Sequence, residues 1–122
     1  MQFIVSGLPP SYNKMLQINY QFKNVYLSKE ARAFKTRVKM SMPPMDLKGN
    51  ELFELHIRYH YNFYYKNGNL KKIDSSNFDK LLLDAIAEKL GVDDSQFKIR
   101  IVNDFHTNEE SCTIVNINAI HS

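Results

Sequence analysis

The stretch that decides the fold reads Phe53-Glu54-Leu55-His56-Ile57-Arg58-Tyr59-His60-Tyr61-Asn62-Phe63. Its odd-numbered side chains are apolar or aromatic, and its even-numbered side chains are polar or charged. Successive side chains of a β-strand point to opposite faces, so this alternation predicts one long strand over residues 53–63. One face of the strand should lie on the core and the other should meet water.

A helix is predicted ahead of this strand, over about residues 29–40. Ser28 can cap its N-terminus, and Met42-Pro43-Pro44 ends it because proline cannot continue the hydrogen-bond ladder. Apolar residues recur at spacings of three and four, as Ala31, Phe34 and Val38. The helix should therefore pack one side on the core.

A second helix is predicted after the strand, over about residues 77–90. The turn signal Asn67-Gly68-Asn69 separates it from the strand, Ser76 is a candidate N-cap, and Gly91 closes it. Its apolar side is broad and comprises Phe78, Leu81, Leu82, Leu83, Ala85, Ile86 and Leu90.

The remaining segments complete an α+β pattern. Strands are predicted at residues 1–5, 97–105 and 112–120, whereas residues 12–26 have no clear period and indicate an irregular arm or a poorly formed hairpin. The order β-α-β-α-β-β implies an α+β fold, a mixed and mostly antiparallel sheet with two packed helices. At 122 residues the chain fits a single domain over 1–122.

Composition excludes several classes of protein. The net charge is only +3, from 16 Lys and Arg against 13 Asp and Glu, so charge alone does not indicate a nucleic-acid binder. Cys112 is the single cysteine, which excludes an intramolecular disulfide and a cysteine-based zinc cluster. No apolar run suggests a signal peptide or a membrane span, so a cytoplasmic protein without membrane contact is expected.

The second helix has a polar side that carries chemistry. Asn77, Lys80, Asp84 and Glu88 fall within an arc of about 80° at 100° per residue. Asp74 precedes the helix and Asp93-Asp94 follow it, so each could turn towards that side. Carboxylates hold Mg²⁺ and a nearby lysine can neutralise a phosphate, which is the mixture that phosphodiester hydrolysis requires.

Spacing alone does not establish such a site. Acidic turns beside helices are frequent, and Lys80 with Asp84 would be an ordinary pair four residues apart on a solvated face. Both interpretations fit the spacing.

A longer run of residues carries more specific information. It comprises Lys71-Lys72-Ile73-Asp74-Ser75-Ser76-Asn77-Phe78-Asp79-Lys80, then Asp84-Ala85, then Gly91-Val92-Asp93-Asp94-Ser95-Gln96. Two earlier segments belong with it, Gly7-Leu8-Pro9-Pro10-Ser11-Tyr12-Asn13-Lys14 and Tyr26-Leu27-Ser28-Lys29-Glu30-Ala31. In this order the segments resemble the RusA family of Holliday junction resolvases, and the resemblance covers nearly the whole chain.

The resemblance implies a function and a site. It implies a RusA-like homodimer that binds four-way junctions in branched DNA and, with Mg²⁺ or Mn²⁺, makes paired nicks without a nucleotide cofactor. Carried over by position, the metal ligands are Asp74 and Asp94 with help from Asp93, and Lys80 is the catalytic cation. The supporting residues are Ser76, Asn77, Asp84 and Asp93.

One position departs from the family pattern. The second acid of the family's Asp-x-Asp-Asn run is Ser76 here. The resemblance indicates a phage or prophage type, in which serine is often found at this place. A hydroxyl is a poor metal ligand, so a catalytically weak or inactive junction-binding protein is the alternative.

Basic residues outside the site form the expected DNA surface, because contacts to phosphates dominate affinity for DNA. The candidates are Lys14, Lys29, Arg32, Lys35, Lys71 and Lys72. An ordinary solvated basic face is the alternative interpretation. A third reading of the chain is a small domain that binds a protein partner through its tyrosine-rich strand.

Overall fold

Eight helices and strands are seen in the described part of the chain. The computed structural model describes residues 1–10, 16–19, 24–45, 47, 51–71, 79–105 and 110–120. The elements are β1 (Gln2–Ser6), β2 (Leu16–Asn19), β3 (Asn24–Leu27), α1 (Lys29–Ser41), β4 (Leu52–Tyr61), α2 (Asp79–Leu90), β5 (Phe97–Phe105) and β6 (Cys112–Ile120). A single 3₁₀ turn, Asp94–Gln96, lies between α2 and β5.

Four of the strands form one mixed sheet in the order β1-β6-β4-β5. β4 is antiparallel to β6 and parallel to β5, and β1 is antiparallel to β6. The expected α+β fold with a mostly antiparallel sheet is confirmed. β2 and β3 form a separate antiparallel pair, which decides between the irregular arm and the hairpin in favour of a hairpin.

The parallel pairing of β4 with β5 sets the position of α2. Parallel neighbours cannot be joined by a tight turn, so the chain must return along the sheet before the second strand begins. α2 is that return, and the acids at its C-terminal end come directly before β5.

Both helices cover one face of the sheet. The inward row of β4 is buried, as the alternation predicts, and consists of Phe53, Leu55, Ile57, Tyr59 and Tyr61. The helices contribute Ala31, Phe34 and Val38 from α1 and Leu81, Leu82, Ala85 and Ile86 from α2. The core is therefore a single layer between the helices and the sheet.

The opposite face of the sheet is polar. His56 Nε2 lies 2.9 Å from Glu54 Oε1, and Arg58 donates to Asp104 Oδ2 at 3.1 Å. His60 Nε2 also lies 3.0 Å from Asp104 Oδ2. The wet face that the alternation predicts is confirmed.

The end of β4 differs from the prediction. The strand stops at Tyr61, two residues before Phe63, because Asn62 Oδ1 accepts a hydrogen bond from the backbone N–H of Tyr64 at 2.9 Å and turns the chain. Phe63 then packs edge-on between the rings of Tyr61 and Phe105.

Two predicted helix ends, the Ser28 cap of α1 and the close of α2 at Gly91, are seen in the described residues. Ser28 Oγ accepts from the N–H of Ala31 at 3.1 Å, so the predicted cap of α1 is confirmed. Gly91 takes a φ of 70°, and the N–H groups of Gly91 and Val92 both donate to Ala87 O, which closes α2. Neither described helix has the length and apolar character needed to cross a bilayer.

Replacing a buried isoleucine of β4 tests this core. Ile57→Ala should lower the free energy of unfolding by about 2–5 kcal/mol, because it leaves a cavity under both helices. Ile4→Ala, on the exposed face of β1, should change it by less than about 0.5 kcal/mol. Urea denaturation of both variants measures the difference, and equal losses would contradict this placement of the core.

Candidate active site

The polar side of α2 carries one lysine and one acid of the predicted site. Lys80 is exposed and Asp84 is partly buried, one helical turn further on. These two described residues form no ion pair, although charges four residues apart on a helix often do. Lys80 is therefore not committed to its helical neighbour.

Two more acids lie in the turn that follows α2. Asp93 Oδ1 accepts from the N–H of Ser95 at 2.9 Å, and the N–H of Asp93 donates to Gln96 Oε1 at 3.1 Å. This reciprocal arrangement is a capping box around the 3₁₀ turn. It confirms the turn at Asp93-Asp94 and holds the two acids in one local geometry.

Gln96 ties this turn to the sheet. Its Nε2 donates at 2.9 Å to the carbonyl oxygen of Glu51, the residue directly before β4. One amide therefore caps the acidic turn with its oxygen and anchors the turn to the central strand with its nitrogen. The sequence motif includes Gln96 but predicts no separate role for it. The spacing Asp-x-x-Gln is typical of a capping box and could have predicted the hydrogen bond from Asp93 N–H to Gln96.

The acids influence one another. The pKa of Asp94 is raised, first by a hydrogen bond shared with Asp93 and then by burial and the negative charges of Asp93 and Asp84. The pKa of Asp93 is lowered, first by the backbone N–H of Ser95 and then by the hydrogen bond from Asp94. The negative charges of Asp84, Asp93 and Asp94 therefore act on one another, and these three residues are called the acidic cluster below.

No protein cation compensates this acidic cluster within the described residues. None of the ion pairs there involves Asp84, Asp93 or Asp94. Likewise, no three His, Cys, Asp or Glu side chains of the described ranges are placed to hold a metal ion together. A metal ion at the acidic cluster would need a ligand from elsewhere, such as Asp74 or the substrate.

The N-terminal end of α2 is anchored separately. Tyr59 of β4 is fully buried, and its hydroxyl donates to Asp79 Oδ1 at 2.8 Å. Burial raises the pKa of Asp79, and the bond from Tyr59 partly offsets this. Burial and the neighbouring carboxylate also raise the pKa of Tyr59 well above its usual range, which keeps the hydroxyl a donor. The strand alternation predicts Tyr59 as a core residue but does not reveal this bond.

Glu88 belongs to the polar arc predicted for α2, but its side chain pairs with α1 and not with the predicted site. It accepts from Lys35 Nζ and Lys39 Nζ, each at 2.6 Å, and so joins α2 to α1. These two bonds lower its pKa. Lys35, a predicted DNA contact, has a side chain only 15% exposed and is committed to this pair.

The other predicted DNA contacts divide into two groups. Lys29 and Arg32 are exposed on α1, and Lys71 Nζ lies 5.8 Å from the centre of the Tyr65 ring. Lys14 and Lys72 lie outside the described residues, as do three predicted site residues, Asp74, Ser76 and Asn77. The predicted meeting of Asp74 with Asp94 therefore stays a prediction.

The geometry of the described residues does not by itself identify a family, but a comparison with known families does. A family model described as Endodeoxyribonuclease RusA matches residues 7–118. The chain belongs to the RusA family. The match spans nearly all of the 122 residues and confirms the resemblance carried by the motifs. No individual curated protein matches the chain significantly.

Membership of the RusA family indicates the general activity of the chain. It supports a junction-resolving endodeoxyribonuclease that acts on branched DNA. Within this RusA chain, α2 and the turn after it carry the acids Asp84, Asp93 and Asp94, and Lys80 stands on the same helix.

Gln96 offers a direct test of how the acidic turn is held. Gln96→Met keeps the length of the side chain but removes both hydrogen bonds, so the free energy of unfolding should fall by about 1–2 kcal/mol. The rate of junction nicking should fall further than the folded fraction explains, because Asp93 and Asp94 lose their anchor.

The control is Gln2→Met, on the opposite face of the sheet, which should alter neither quantity. Urea denaturation and initial nicking rates measure both effects. A stably folded Gln96→Met protein that nicks at the parent rate would show that the anchor is dispensable.

Proposed function

We propose that this RusA-family chain is a metal-dependent endonuclease that resolves four-way DNA junctions with paired nicks. The observation that carries the proposal is the RusA-family match over residues 7–118. The described geometry adds the turn after α2, in which Asp93 and Asp94 are adjacent and form no ion pair with a described residue. Adjacent carboxylates without a protein cation favour a bound cation, and hard divalent ions prefer oxygen ligands.

The residues fit Mg²⁺ better than an ion that requires a complete protein cage. Mg²⁺ usually binds through one or two carboxylates and completes its shell with water and substrate phosphate. Asp94 and Asp93 supply such carboxylates, and we assign Asp74 as the further ligand. Mn²⁺ suits the same oxygen ligands.

Each side chain then has a defined task. When bound, the metal ion polarises the scissile phosphate and lowers the pKa of its water. Asp94 and Asp74 would bind and orient that ion with help from Asp93, while Asp84 would add negative charge nearby. Lys80 extends from the same helix and neutralises charge that develops on the phosphate or on the leaving oxygen. Ser76 and Asn77, which precede α2 in the sequence, are assigned supporting roles.

Substrate binding is assigned to basic residues around this site. Lys29 and Arg32 are exposed on α1 and can reach phosphates, whereas Lys35 must first leave Glu88. Lys14, Lys71 and Lys72 complete the proposed surface. Two copies in a homodimer would present two such surfaces and two sites, as paired nicks across a branch require.

Substituting the proposed ligands tests the mechanism. Asp94→Asn and Asp74→Asn should each abolish Mg²⁺-dependent nicking of a synthetic four-way junction and leave junction binding intact, because each amide loses the ligand charge. The matched control is Glu54→Gln, which removes a carboxylate from the opposite face of the sheet and should nick normally. If both aspartate variants cut as well as the parent, the assigned site is wrong.

A second function is favoured by Ser76. The missing carboxylate would weaken metal binding, so the chain would select junctions without cutting them. Such a protein would give no metal-dependent product with any divalent ion, while still preferring branched over linear DNA.

Ser76→Asp separates the two functions. If cleavage is limited by the missing acid, this variant should gain nicking activity at least about tenfold, corresponding to about 1.4 kcal/mol of barrier. The matched control is Ser75→Asp, which adds the same charge one residue away and should gain nothing. Failure of Ser76→Asp to raise activity would count against the binding-only account, and a chain with no preference for branched DNA would contradict both.

A further inference from the structure

The outer edge of β5 is unusually apolar for an exposed strand. Within the described ranges β5 pairs only with β4, and its other edge has no strand partner. The helices cover Phe97 but leave four apolar side chains exposed, namely Ile99 at 39%, Ile101 at 37%, Val102 at 41% and Phe105 at 50%. A long edge of this kind is a template for pairing with another chain.

The opposite edge of the sheet is built differently. β1 has five residues and leads into Gly7 and Pro9-Pro10, which limit further pairing. β5 has nine residues and contains neither proline nor glycine. Of the two edges, β5 is therefore the one suited to accept a partner strand.

We infer that β5 pairs antiparallel with β5 of a second copy, with the two-fold axis passing beside Ile101. The inference rests on the homodimer of the proposed function and names its surface. The pairing would join two four-stranded sheets into one of eight strands. A nine-residue antiparallel pair supplies roughly eight to ten backbone hydrogen bonds.

Symmetry restricts the possible registers. A two-fold axis between identical antiparallel strands must stand perpendicular to the sheet, so residues that face each other share a side of the sheet. Centring the axis on Ile101 pairs the full length of Phe97–Phe105 with itself. Phe97 then faces Phe105, and Ile101 faces its own copy.

Charge selects the same register. With the axis at Ile101, Lys98 of each copy faces Asp104 of the other, which gives two opposite-charge pairs. An axis at Arg100 would place two arginines opposite each other. An axis at Val102 would pair Arg100 with Asp104 but leave Phe97 and Lys98 beyond the end of the partner strand.

The surroundings of Asp104 suit a cation from the second copy. Asp104 already accepts from Arg58 at 3.1 Å and is only 29% exposed, so its carboxylate is held in place. Lys98 is exposed and forms no ion pair with a described residue. Because this carboxylate is already ordered, it loses little further conformational entropy when it pairs with Lys98 of the second copy.

The arrangement also suits a single DNA substrate. Because the axis stands perpendicular to the sheet, the helices of both copies lie on the same side of the eight-stranded sheet. Both acidic clusters then face one side of the dimer, where one junction can contact both.

Charged residues such as Lys98 and Arg100 can also serve to keep edge strands apart. Cysteine cross-linking distinguishes that role from pairing, in the 122-residue chain carrying Cys112→Ala to remove its single cysteine. Ile101→Cys should form an intermolecular disulfide under mild oxidation, because directly opposed Cβ atoms lie about 4.5–5.5 Å apart.

The matched controls are Ile99→Cys and Val102→Cys, which are as exposed as Ile101. In the inferred register, the thiols that Ile99→Cys introduces in the two copies lie about 13 Å apart along the strands and cannot bridge. Val102→Cys reports a register shifted by one position. Cross-linking at Ile101 alone is the expected result, whereas absence of cross-linking there, or equal cross-linking at all three positions, would overturn the inference.

Sedimentation of charge variants provides a second measurement. Lys98→Asp should weaken the dimer about tenfold or more, because two like-charge pairs replace two opposite-charge pairs. Lys98→Arg should leave it unchanged, and circular dichroism checks that both variants fold. A dimer unaffected by Lys98→Asp would contradict the register.

The outcome is separable from the nuclease proposal. A dimer that cross-links at Ile101 but never nicks DNA would refute the proposed function without affecting the inferred β5–β5 pairing. Metal-dependent nicking by a protein that never cross-links at Ile101 would refute the pairing without affecting the proposed function.

Discussion

The parallel pairing of β4 with β5 is the constraint on which the rest of this structure depends. A parallel neighbour obliges the chain to cross back over the sheet, and α2 is the element that does so. Tyr59 bonds Asp79 at the beginning of the helix, and Gln96 bonds the Glu51 carbonyl beyond its end. Tyr59 belongs to β4 and Glu51 directly precedes it, so the central strand positions the acids that follow α2.

Packing on one side of α2 opposes electrostatic repulsion near its other side. Leu81, Leu82, Ala85 and Ile86 are buried, and each of the larger aliphatic side chains among them contributes about 1.5–3 kcal/mol. The negative charges of Asp93 and Asp84 help to raise the pKa of Asp94, whereas the N–H of Ser95 lowers the pKa of Asp93. A divalent cation bound to the acidic cluster would relieve the repulsion.

The ion pairs between the helices change how the basic face of α1 should be understood. Sequence periodicity places Lys29, Arg32 and Lys35 on one solvated face, which suggests a uniform surface for phosphates. In the fold, Lys35 and Lys39 turn to Glu88 and tie α1 to α2, while Lys29 and Arg32 stay exposed. Part of the basic face thus serves the scaffold that supports the acidic cluster.

The sequence by itself determined the local elements and the family. The alternation in β4, the Ser28 cap, the close of α2 at Gly91 and the bounds of β5 and β6 depend on neighbouring residues, so periodicity and capping reveal them. The motif residues Asp93, Asp94 and Gln96 indicated the family in the same way.

Only the tertiary structure decided which elements and side chains meet. The strand order, the bond from Tyr59 to Asp79, the pairing of Glu88 with α1 and the anchor of Gln96 on Glu51 all join residues at least 20 positions apart. Periodicity states which face of an element is buried, but it carries no information about the neighbour that buries it, because that choice depends on how the whole core packs.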